Sequence, residues 1–96
     1  MKKLVALTCV LTMALSGAAM ADTITIGVFE PASGDNGAGG KQEVLGMQYA
    51  NSVQPTVEID GVEYDVTLNI VDNESSTDKA TAAATAAAEG ASVVLG

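Results

Sequence analysis

The sequence predicts an α/β fold, a parallel sheet with flanking helices, and three observations carry that prediction. Two strand-like runs, Thr23–Phe29 and Val62–Val71, each lead into a polar or small-residue loop and then a helical pattern. A third apolar run, Ser92–Gly96, follows the second helical pattern. The strongest hairpin signal, Asp60-Gly61, sits inside this alternation and adds one short strand to it. The expected order is β-α-β-α-β plus a hairpin strand, and right-handed crossovers set the main strands parallel.

The N-terminus reads as a targeting segment. Met1-Lys2-Lys3 is a basic start, Leu4 to Leu15 an apolar core, and Ser16 to Ala21 a run of small residues broken only by Met20. Ala19 and Ala21 stand in the A-x-A arrangement that a signal peptidase accepts, so cleavage is expected after Ala21. The apolar run is shorter than the ~20 residues that span a bilayer as a helix. Cys9 lies inside that core and follows Thr8, which argues against a lipid-anchored cysteine. Residues 1–21 are therefore expected to be a removed signal peptide. Residues 22–96 would then be soluble in the periplasm, with no stable membrane insertion.

The first strand alternates and then turns continuously apolar, the pattern of a strand whose far end is buried on both faces. Gly27 inside it suggests the close approach of a neighbouring backbone. The loop Glu30–Gly39 begins near Pro31 and is rich in Ser, Gly, Asp and Asn, residues that favour turns. A helix is expected from about Gly40 to Val53, with Leu45, Gly46, Tyr49, Ala50 and Val53 as its packing face. Gly46, costly in mid-helix, is expected to let that face lie close on the sheet. Pro55 ends the segment.

After the hairpin strand Val57–Ile59, the longer arm puts Val62, Tyr64, Val66, Leu68 and Ile70 on one face. Asp72-Asn73-Glu74-Ser75 breaks it. Ser76 is the expected N-cap of a helix over Thr77–Glu89, with Ser75 and Asp78 as an alternative capping box. That helix is nearly all Ala, so it can pack close but buries little area. Gly90 is its expected stop.

Composition and spacing exclude several chemistries. Four basic residues stand against 12 acidic ones, a formal charge of −8. Without Lys2 and Lys3, only Lys41 and Lys79 oppose the same 12 acids, a balance of −10. Nucleic acid and anionic headgroups repel such a chain. His, Arg and Trp are absent, and Cys9 is the sole thiol. The usual general base, the usual zinc ligands and the guanidinium clamp go with them. Gly40-Lys41 is followed by Gln42, which breaks a P-loop. Gln42 also stands where a dinucleotide fingerprint from Gly37 needs its last glycine. Asp72, Glu74 and Asp78 lack the spacing of a calcium loop. Ser33 has neither a G-x-S-x-G context nor a histidine, so no catalytic residue is assigned. The hydroxyls and free N–H groups of the Ser33–Gly40 loop, aimed at a helix N-terminus, suit a carboxylate.

The ordered set of residues resembles a known family. Ile24-Thr25-Ile26-Gly27, Pro31-x-Ser33-Gly34, Gly40 and Gly46, and Ala50-Asn51 form its first block. Asp72-Asn73-x-Ser75, Lys79-Ala80 and Val93-Val94-Leu95-Gly96 form the second. Together they cover essentially all of Asp22–Gly96 and resemble the N-terminal part of the type I periplasmic solute-binding proteins, the branched-chain amino-acid binding group. The resemblance implies a two-lobed receptor that closes on a small solute, often an amino acid, and delivers it to an ABC permease. It implies no cofactor and no metal. It assigns Ser33, Gly34 and Gly39 to the ligand side of the first loop. Where that family can carry an aromatic against the ligand, this chain has Gly39. A ligand-sensing domain of a signalling receptor on the same fold is the alternative.

The expected core is thin. About 1.5 kcal/mol of ordering cost per residue leaves so short a chain, with an Ala-only second helix, near zero net stability. The expectation is an incomplete lobe one, with the main ligand contacts after Gly96.

Overall fold

Strand β1 (Asp22–Glu30) is the centre of the sheet. On one side it pairs in parallel with β3 (Val62–Asp72), in a register that sets Ile26 beside Leu68 and Glu30 beside Asp72. On the other it pairs in parallel with β4 (Val93–Leu95), which sets Gly27 beside Val94. Strand β2 (Thr56–Ile59) runs antiparallel to the start of β3, giving the order β2-β3-β1-β4. The structure is a computed structural model and describes residues 22–96; the signal peptide expected over residues 1–21, with its cleavage after Ala21, lies outside the described residues. A mostly parallel sheet with two helices is thus the architecture, as the sequence pattern predicts.

The hairpin forms where Asp60-Gly61 predicts it. Both residues adopt positive φ, 51° and 80°, which is the turn that matches the twist of the flanking strands.

The helices are α1 (Gly37–Val53) and α2 (Thr77–Ala88). They cover opposite faces of the sheet. Ile26, Val66, Leu68 and Leu95 look toward Met47 and Ala50 of α1. Gly27 and Asn69 look the other way, toward α2. Successive right-handed crossovers in opposite directions, from β1 to β3 and then from β3 back past β1 to β4, require this arrangement.

Helix α2 justifies its alanines. Ala83 and Ala87 are buried, and the space a side chain on Gly27 would need is taken by the carbonyl oxygen of Ala87. The close backbone approach expected at Gly27 is made by this helix. The Asn69 amide donates to the Ala86 carbonyl at 2.9 Å, beside the longer 3.4 Å bond that this carbonyl accepts from the Glu89 N–H at the helix end. Ser76 takes the N-cap position, yet its side chain makes no capping hydrogen bond. Neither does Ser75 serve a capping box: its hydroxyl is engaged in the neighbouring loop.

Helix α1 departs from expectation twice. It begins at Gly37, three residues before Gly40. Low glycine propensity argued for loop there, but Gly37 and Gly40 are buried, Gly37 closely against Ala32 and Gly40 against Pro31, where a side chain on Gly40 would collide. That tertiary contact overrides propensity. The face toward the sheet is Gly37, Gly40, Val44, Met47 and Asn51, all buried or half-buried. Tyr49 and Val53 point away, 72% and 64% exposed, and Leu45, 63% exposed, edges a cleft toward Ile70 and Asp72. Gly46 has open space where a side chain would stand, so it does not bring helix and sheet together. The expected packing face is thus the wrong one, and the close contacts of the glycines set the side through Val44 and Met47 on the sheet.

Candidate functional site

The carboxyl ends of β1 and β3 lie side by side and feed two loops, residues 31–36 and 73–76. The Asn73 N–H donates to the Glu30 carbonyl at 3.1 Å, so the backbone pairing of the strands runs into the loops. From there side chains take over.

Asp72 is the hub. Its carboxylate accepts the Ala32 N–H at 2.7 Å, the Ser33 hydroxyl at 2.8 Å and the Glu74 N–H at 2.8 Å. Hydrogen bonds to the charged form favour it, so the Ala32 and Glu74 amides and then the Ser33 hydroxyl hold the Asp72 carboxyl below its ordinary value.

Ser75 makes the second tie. Its hydroxyl donates to the Ser33 carbonyl at 2.8 Å and accepts the Asn36 N–H at 3.0 Å, while its own N–H donates to Asn73 Oδ1 at 3.0 Å. Glu74 and Ser75 sit at φ 58° and 55°, a left-handed pair that aims the serine back across the gap. The Lys79–Glu74 ion pair, 2.9 Å, is exposed on both sides and contributes little.

Gly34 closes the contact between the loops. Its φ is 77°, and the Glu74 carbonyl and the Ser75 side chain occupy the space a side chain would need. The Gly37 N–H then donates to the Gly34 carbonyl and the Gly40 N–H to the Asn36 carbonyl, each at 3.1 Å. Ala38 and Gly39 lie between them in the first turn, where N–H groups have no partner within the helix.

Behind the rim, on the α1 side, a cleft of about 360 Å³ is lined by Glu30, Lys41, Val44, Ile70 and Asp72, among others. Glu30 is only 7% exposed. A hydrogen bond to the Glu43 carboxyl, burial, and repulsion from Glu43 together raise the Glu30 pKa. Two carboxyls can share that bond only while one carries a proton.

Of the residues expected at a ligand, Ser33 and Gly34 come together in one clasped loop, and both are exposed. Gly39 stands a turn further on, exposed, with open space beside it. Ser33 has already donated its proton to Asp72, so toward solvent its hydroxyl is an acceptor only. The N–H donors that would meet a carboxylate are those of the first turn of α1.

The sequence reading missed what Asp72 and Ser75 do. Asp72 read as a strand breaker and Ser75 as a helix cap. Their clue was the Asp72-Asn73-x-Ser75 spacing, which sets two short polar side chains at one strand end. Among the described residues no three His, Cys, Asp or Glu side chains are grouped to hold a metal ion. No described helix is long and apolar enough to cross a membrane.

No protein-family model, curated protein or solved structure matches the chain. The class that the fold defines is a mixed α/β domain with a mostly parallel four-stranded sheet, clasped at the carboxyl edge of its strands.

Proposed function

We propose that this chain belongs to lobe one of a type I solute-binding receptor. It captures a small solute, an amino acid or a related compound, in the periplasm and presents it to an ABC permease in the inner membrane. The observation that carries the reading is the strand order β3-β1-β4 with helices on opposite faces. The chain goes from β1 out to β3 and then back past β1 to β4, and ligands of open α/β sheets bind beyond the carboxyl ends of strands at such a reversal. The clasped loop with Ser33 and Gly34, and the open first turn at Gly39, stand at that edge. The leader, with its A-x-A site at Ala19 and Ala21, supports export. In this reading Gly39 leaves room for a solute group that an aromatic at the same position would cover.

The test is a thermal-shift and calorimetric screen of the whole exported protein against the standard amino acids and their amides. A saturable, one-site response to one or a few of them is expected. At a hundredfold excess over Kd it stabilises by about 2.7 kcal/mol. A flat response across that panel overturns the reading.

A further inference from the structure

We infer that the cleft between α1 and the end of β3 is a second binding site, one for an aliphatic primary amine whose ammonium docks on the Glu30 carboxylate beside Asp72. Strand register builds its acidic floor. Glu30 and Asp72 are paired residues at the ends of neighbouring parallel strands, and both line the cleft, about 360 Å³ in volume. Asp72 already accepts the Ala32 and Glu74 N–H groups and the Ser33 hydroxyl, so its charge is fixed in place. Glu30 is the opposite case. It is only 7% exposed, yet among the described residues its hydrogen-bond partner is another carboxyl, Glu43 of α1. Burial, that bond and the Glu43 charge all work against its ionised form, and no N–H, hydroxyl or ammonium of the described residues offsets them. A buried carboxyl ordinarily has donors. Here the cleft is the way in for one.

The other walls define what carries that donor. Val44, Leu45 and Ile70 make one side of the cleft apolar, which suits a run of methylene groups behind a charged head. Lys41 lines the cleft too, but the ion pair among the described residues is Lys79 with Glu74, so Lys41 pairs with neither acid. It stands instead as a like charge that an incoming amine meets. A calcium ion wants a cage of six or more oxygens, and no three acidic side chains of the described residues are grouped to begin one. An ammonium needs only the Glu30 oxygen and the field of Asp72. As it binds, the proton shared by Glu30 and Glu43 passes to solvent, and an ammonium N–H takes its place on Glu30.

The experiment titrates the whole exported protein with butylamine by calorimetry. A saturable one-site response is expected, weakened at least tenfold by Glu30→Gln and unchanged by Glu58→Gln on β2. Lys41→Gln should tighten it, since a like charge is removed. Affinity should fall at least twofold between neutral pH and 4.5, where more than half of Glu30 holds its proton. Circular dichroism verifies that each variant folds. No saturable binding overturns the inference, as does equal weakening by Glu58→Gln, which would mark general attraction to an acidic chain. Equal affinity for tetramethylammonium, which has no N–H, or for calcium also overturns it, and so does weaker binding by Lys41→Gln. Butylamine has no carboxylate, so its outcome is independent of the amino-acid screen at the rim.

Discussion

Gly40 and Gly46 are the same residue type in one helix, and their replacement by alanine should have opposite signs. At Gly40 the new side chain meets Pro31, and relief requires the loop to move. A cost of roughly 1–3 kcal/mol follows from overpacking. At Gly46 nothing lies within reach, and alanine should stabilise by about 0.5–1 kcal/mol through helix propensity. Chemical denaturation of the two variants checks both. At the rim, Asp72 and Glu30 pull the pH profile in different directions. The Glu30 carboxyl is raised above its ordinary 4.5, so its contribution grows as pH falls through the folded value and is complete below 4.5. The Asp72 carboxyl is held below 3.8, so its contribution is present above 3.8 and disappears as pH falls through the folded value. For these two groups, stability rises from neutral pH toward 4.5 and falls below 3.8. Melting curves across that range should show the hump, and Glu30→Gln should flatten its neutral side. A Glu30→Gln profile identical to the parent's would refute the assignment.

At the scale of elements, the order of elements along the chain and the helix count were legible because they rest on local signals. Asp60-Gly61 needs nothing beyond itself to turn. Thr77–Ala88 is helical by propensity alone, and Gly90 at φ 68° stops it as expected. Helix α1 shows where local signals end. Its sequence pattern points to the face through Leu45 and Tyr49, and only contact with Pro31 and Ala32 selects the one through Gly37 and Gly40. The two loops behaved similarly. Ser33 and Gly34 were visible as loop residues, but the partners that hold them, Asp72 and Ser75, lie 39 to 42 positions away. Spacing within one loop carries no information about the other.

At the scale of the whole molecule, the buried apolar set among the described residues is small: Val28, Ala83 and Ala87. Val93, Val94 and Leu95 of β4 remain 40–50% exposed. Most of the sheet is therefore only half covered by α1 and α2, as the Ala-rich second helix led one to expect. Export is tested at this scale too. The secreted protein should begin Asp22-Thr23-Ile24 by N-terminal sequencing, and Ala21→Asp should leave an uncleaved precursor; a mature N-terminus elsewhere would refute the site.

The sequence by itself determined the α/β class, the order of elements, the hairpin and the acidic balance, since each depends on residues close together in the chain. Only the tertiary structure decided which face of α1 packs, why Gly27 must be glycine, and that Asp72 and Ser75 tie the two loops together. These depend on which backbones meet across the sheet. Close approach and a three-bond carboxylate are properties of paired strands, and no single stretch of sequence holds both partners.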